Sequence, residues 1–185
     1  MSFLLRLKHW QAFLLLFVVP FALRYGLLSL LAALSVQPGV VAMLLLDAMP
    51  SLVYVLWLWR LGLYLYRRLP PDITISSVFF HLGAVYFALY TLLLVYTLGL
   101  VRESVLLGTL PFGMLLLLAP LHLLATGCFL YLVYFVARSL VSVEQGRVVT
   151  GGEFAGAYLQ IIFLPLGIWF LQPRLHQITL GAAQV

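Results

Sequence analysis

The sequence predicts an all-α, polytopic transmembrane helical bundle of four to five membrane helices, with its N-terminus in the cytoplasm. Three observations carry that prediction. Of the 185 residues, 65% are hydrophobic and only 8% are charged, whereas soluble domains hold roughly 45–50% apolar and about 25% charged residues. The apolar residues fall into runs long enough to cross a bilayer core, which takes roughly 20 residues of helix. The basic residues stand in ones and twos at the ends of those runs, as membrane topology requires. The whole chain, 1–185, reads as a single integral membrane domain, because Ser, Gly and Pro do not gather into linkers.

The first run covers about 10–36 and is interrupted by Arg24. After the Gln37-Pro38-Gly39 turn the second covers about 40–66 and contains Asp47 and Pro50. The third covers about 75–100, and the fourth about 106–136 with Pro111 and Pro120 inside it. The fifth, 154–171, is near the lower length limit and carries Pro165 and Gly167, so it spans, re-enters or lies in the interface. Helix is the required conformation, since backbone polar groups in lipid must be satisfied within the segment. Alternating strands of about ten residues, the signature of a membrane barrel, are not visible.

Orientation follows from charge. A cytoplasmic N-terminus places Arg6, Lys8, Arg67, Arg68, Arg138 and Arg147 inside and leaves only Arg102 in an outer loop, beside Glu103. Arg174 falls outside if the fifth segment spans and inside if it re-enters. Trp10, Trp57, Trp59 and Trp169, with Arg174, are expected to anchor at the headgroup level, where amphipathic rings are favoured.

Arg24 and Asp47 are the most informative polar residues. A charge at the bilayer centre costs roughly 2.5–3.5 kcal/mol on insertion scales, so such residues look for partners. Arg24 lies about 13 residues before the turn and Asp47 about 9 after it, a depth difference of about 6 Å. An arginine side chain covers that gap, so an ion pair joining the first hairpin is expected. It reads either as a structural clasp or as a gate that opens and closes. His81 and His122 are the candidates for a polar pathway. Their expected depths differ by roughly 10 Å, too far for joint metal ligation, and the bland alternative is a hydrogen-bonded interior histidine. Small residues at four-residue spacing, Ala84 with Ala88 and Gly152 with Gly156, mark candidate helix contacts.

Other chemistries find no support. The net charge of +5 is dispersed, which argues against nucleic acid as a partner. The single cysteine, Cys128, cannot form an intramolecular disulfide, and no zinc-type CxxC pair occurs. There is no HExxH, GxSxG, phosphate loop or GxGxxG, and Asp47 is the only deep carboxylate. The expectation is a protein without catalytic residues, metal or cofactor.

One stretch, Phe163-Leu164-Pro165-Leu166-Gly167-Ile168-Trp169-Phe170-Leu171-Gln172-Pro173-Arg174, resembles the C-terminal signature of small polytopic bacterial membrane proteins with a similar G-I-W…Q-P-R run. The Lys8-His9-Trp10-Gln11 start fits the same pattern. The resemblance covers about a quarter of the chain. It implies a multi-pass protein of the bacterial inner membrane and assigns no activity. Two functions then compete. One is a homo-oligomeric channel or pore, of the general plan that in bacteria also serves as a membrane-depolarising effector, because a small bundle encloses a path only by assembling around an axis. The other is a non-catalytic scaffold or accessory subunit that binds a membrane or cytoplasmic protein, with the loop from Arg138 to Glu153 as its contact. An intramembrane enzyme is the remote third.

Overall fold

The structure, a computed structural model, describes residues 7–70, 75–109 and 111–181. The described residues are helical with no strand, and four helices are long and apolar enough to cross a membrane. These are α1 (His9–Ala33), α2 (Val40–Tyr66), α3 (Val78–Leu106) and α4 (Phe112–Gln145). Two shorter helices follow, α5 (Ala155–Ile162) and α6 (Leu164–Gly181).

Each long helix alternates direction with the one before, so its two ends define two ends of the bundle. One end gathers the start of α1 and the ends of α2 and α4, with Lys8, Arg67, Arg68, Arg138 and Arg147. This is the basic end of the bundle. The far end carries the α1–α2 turn and the α3–α4 turn. Arg6 lies outside the described residues.

Helices α2, α3 and α4 pack against one another and hold the core. Phe80 of α3 is fully buried and stacks on Phe135 of α4, with ring centroids 4.3 Å apart. Leu58, Leu61 and Leu65 supply the facing ridge of α2, at three- and four-residue spacing. Gly62 stands within that ridge because a Cβ there would overlap the Phe80 ring. The other large buried side chains, Leu132, Leu140, Ile161, Leu164, Ile168, Leu171 and Leu175, also lie toward the basic end. At the far end the helices show leucine outward: Leu106, Leu107, Leu116 and Leu117 are each more than 70% exposed. Such a surface suits hydrocarbon, which accepts apolar side chains on every face of a helix.

The ends of the elements depart from the expected bounds, each for a local reason. Helix α3 runs on through Arg102 and Glu103 to Leu106, so those charges sit in its last turns rather than in a loop. Gly108, at φ 75°, then reverses the chain. Pro111 is the residue before α4 rather than a position inside it. Helix α4 extends to Gln145, well past 136, because Val136, Ala137, Ser139, Leu140, Val141 and Ser142 are all buried there. It stops at Gly146, whose left-handed φ of 65° suits glycine.

The segment 154–171 does not form one helix. It breaks at Phe163 into α5 and α6, which fold against each other as a tight hairpin. Gly167 makes the fold-back feasible, since a Cβ there would overlap the backbone carbonyl of Gln160. The hairpin tip reaches inward to Tyr54 of α2, whose hydroxyl donates to the Ile161 carbonyl at 3.0 Å. Tyr54 lies about 18 Å from the end of α2 at 1.5 Å per residue. The chain then returns to the basic end. There Arg174 pairs with Glu144 (Nη2–Oε2 2.5 Å), Arg68 Nη1 donates to the Ile178 carbonyl (2.8 Å) and Gln172 Nε2 donates to the Leu7 carbonyl (2.8 Å). The hairpin enters the bundle and leaves by the same end.

Candidate functional site

Arg24 and Asp47 meet across the α1–α2 hairpin. Arg24 Nε donates to Asp47 Oδ1 at 2.8 Å, and Nη2 reaches the same oxygen at 2.7 Å. The register explains the meeting. The buried residues of α1 are Ala12, Leu16 and Pro20, a row at four-residue spacing that Arg24 continues. Both side chains lie at the surface of the bundle, 25% and 32% exposed, and the guanidinium carbon stands 4.9 Å from the Tyr25 ring centroid. Asp47 lies about 10 Å and Arg24 about 14 Å along their helices from the far end. Ser51, one turn on from Asp47, and Ser29 of α1 are exposed on the same hairpin.

The two histidines are separate sites. His81 Nδ1 donates to the Ser77 carbonyl at 2.6 Å, an N-terminal turn contact of α3, and its ring edges against Trp59 with centroids 6.2 Å apart. His122 of α4 shares a 2.7 Å hydrogen bond between Nδ1 and the Tyr90 hydroxyl of α3. Tyr86, stacked on Tyr90 with centroids 6.4 Å apart, donates to the Leu121 carbonyl at 3.2 Å. That carbonyl faces a tyrosine one residue from His122, so α3 and α4 are stitched by two polar contacts at one level. Among the described residues no group of three His, Cys, Asp or Glu side chains could hold a metal ion.

The expected anchors separate into three kinds. Trp10 and Trp169 are each 46% exposed, and the Trp169 ring lies against His9 with centroids 4.4 Å apart. Trp57 is not at the surface: it is 6% exposed and belongs to the core, because its position on α2 points toward the buried ridge rather than outward. Trp59 is partly buried, and its Nε1 has no hydrogen-bond partner among the described residues. Arg174 is engaged by Glu144 and by Gln160 Oε1 at 3.2 Å.

The expected small-residue contacts also divide. Ala84 is buried and joins the core, while Ala88 is half-buried. Gly152 and Gly156 are exposed, and a Cβ at either would meet nothing within 4 Å, so within the chain they make no close helix contact. The close approaches are instead at Gly62 and Gly167. Neither belongs to a four-residue pair of small residues, so the spacing rule had no purchase on them.

Outside the spans, the Gly146 turn is strapped by charge. Arg147 Nη2 pairs with Glu153 Oε1 at 2.5 Å, and the Thr150 amide donates to Glu153 Oε2 at 2.8 Å. The Arg147 guanidinium, and secondarily the Thr150 amide, hold the Glu153 carboxyl below its ordinary range. Comparison of the chain with protein-family models, with curated proteins and with solved structures finds no match.

Proposed function

We propose that the chain is one subunit of a homo-oligomeric channel of the bacterial inner membrane, with the Arg24–Asp47 pair at the contact between subunits or beside the path they enclose. The observation that carries this reading is the position of the pair. It lies well inside the spans yet at the surface of the bundle, with a quarter to a third of each side chain uncovered. Hydrocarbon solvates an ion pair poorly, so such groups normally face protein or water. A neighbouring subunit or a wetted path supplies what lipid does not. The basic end, carrying Lys8, Arg67, Arg68, Arg138, Arg147 and Arg174, faces the cytoplasm in this reading, in line with the positive-inside bias. Depolarisation of the membrane is the effect such a channel would have when open.

A second reading is favoured by how little else is polar beside the pair: Tyr25, Ser29 and Ser51. An accessory subunit would cover the same patch with another membrane protein. The test is ion flux in liposomes reconstituted with the full chain, alongside Asp47→Asn. Flux that the substitution changes, in protein whose helicity is unchanged, supports the channel. A silent, folded monomer overturns it and favours the accessory subunit.

A further inference from the structure

We propose that the outer face of α1 and α2 holds one anionic phospholipid, with an acyl chain in the groove between the helices and the phosphate among Arg60, Arg67 and Arg68. The site is independent of the channel reading. Two adjoining cavities carry it. One is an apolar groove of about 330 Å³, walled by Leu15, Val19 and Leu23 of α1 and by Met49, Val53 and Leu56 of α2. The other is a recess of about 320 Å³ whose polar lining is Arg60, Tyr64, Arg67 and Arg68. Arg60 lines both, so the groove opens into the recess at its side chain.

The groove has a local cause. Pro20 has no N–H to offer the preceding turn, and just before it the helix widens to a π turn over Leu14–Val18, where the Val19 amide donates to the Leu14 carbonyl. Only Ala12, Leu16 and Pro20 of α1 are buried, which leaves its other apolar side chains as a wall. From Met49 to Arg60 the groove follows about 16 Å of helix, close to half of the ~30 Å hydrocarbon core. It therefore matches the depth of one leaflet.

The recess has the charge to complete the site. Arg60 and Tyr64 stand one turn apart near the end of α2, and Arg67 and Arg68 follow in the turn that ends it, so all four line the same recess. Arg60 and Arg67 are exposed and make no hydrogen bond or ion pair with any described residue. Arg68 is oriented by the Ile178 carbonyl and by the Tyr64 ring, 4.2 Å from its guanidinium carbon. Three guanidinium groups offer strong donors to phosphate oxygens. They disfavour a headgroup that adds its own ammonium, so the preference is for an anionic lipid. Inorganic phosphate offers the same oxygens but leaves the groove empty, and a second copy of this face would bring three like charges against three.

The experiment is native mass spectrometry of the full chain taken from vesicles of equal phosphatidylglycerol and phosphatidylcholine. The expected result is a retained phosphatidylglycerol that excess inorganic phosphate does not displace. Arg60→Gln and Arg67→Gln should each lower retention about fivefold, while Arg60→Lys keeps most of it. Leu56→Trp fills the groove without changing charge and should also lower retention. Arg60, Arg67 and Leu56 are exposed, and circular dichroism checks that each variant folds. Equal retention of both lipids overturns the proposal, as does wild-type retention in Arg60→Gln/Arg67→Gln or in Leu56→Trp. Displacement by inorganic phosphate overturns it in favour of a simple anion recess. Lipid-free protein that crosslinks between copies through Leu56→Cys overturns it in favour of a second copy.

Discussion

A carboxylate and a guanidinium facing each other within a span hold one another in place, because either alone is an uncompensated charge in hydrocarbon. Asp47→Asn leaves Arg24 in that state. Its cost should lie between the fraction of a kcal/mol typical of a water-exposed pair and the roughly 3–5 kcal/mol of a buried one. Arg24→Leu with Asp47→Leu removes both charges and should cost less than Asp47→Asn alone. Unfolding in a denaturing detergent series measures this, and an Asp47→Asn variant as stable as wild type would show that the contact does not clasp the hairpin. Glycines give a second contrast at this scale. Gly167→Ala forces a methyl onto the Gln160 carbonyl and should cost about 1–3 kcal/mol, the usual range for overpacking. Gly156→Ala meets open space and should stay within about 0.5 kcal/mol of wild type. Thermal melts of the two variants in one detergent decide the point, and an equal loss would mean that the α5–α6 approach is not tight.

At the scale of elements, the connection between α4 and α5 depends on one carboxylate. Glu153 titrates below its ordinary range in the folded chain because Arg147 and the Thr150 amide bind its charged form. A carboxyl with a lowered folded value adds stability above its unfolded value and loses it as pH falls through the folded one. The strap should therefore hold at neutral pH and loosen only below the ordinary carboxylate range. An NMR titration of the Thr150 amide should show that step, and Glu153→Gln should abolish it. A Thr150 amide insensitive to acid would mean that the hydrogen bond to Glu153 is absent. The long α4 follows from the same neighbourhood. Its last turns stay helical because Ala137, Leu140 and Val141 are buried there, with α5 packed against α4, and helices owe most of their stability to such packing.

For the molecule as a whole, the hairpin of α5 and α6 sets the topology. With four crossings and a hairpin that returns, both ends of the described chain lie at the basic end, where Gln172 reaches the Leu7 carbonyl. Reporter fusions at the two termini should therefore give the same side of the membrane. Opposite sides would mean that the last segment crosses. The arrangement also concentrates the basic residues at one end and leaves Arg102 at the other, beside Glu103, a distribution that a fifth crossing would have spoiled by moving Arg174.

What the sequence determined by itself was the class of solvent and the first four long helices. Apolar runs of spanning length, ended by arginines and turn residues, admit no other arrangement in lipid, and the matching distances of Arg24 and Asp47 from one turn foretold their meeting. The tertiary structure decided everything that depends on a neighbour. Whether 154–171 crosses or turns back rests on the Gly167–Gln160 approach and on the Arg174–Glu144 pair, partners 7 and 30 residues apart in the chain. Whether a tryptophan anchors or packs rests on which face of α2 meets α3 and α4, and hydrophobicity that surrounds the helix, as it does here, does not record that face. The groove beside Arg60 is of the same kind, since it exists only where two helices that are each apolar on all sides fail to close on one another.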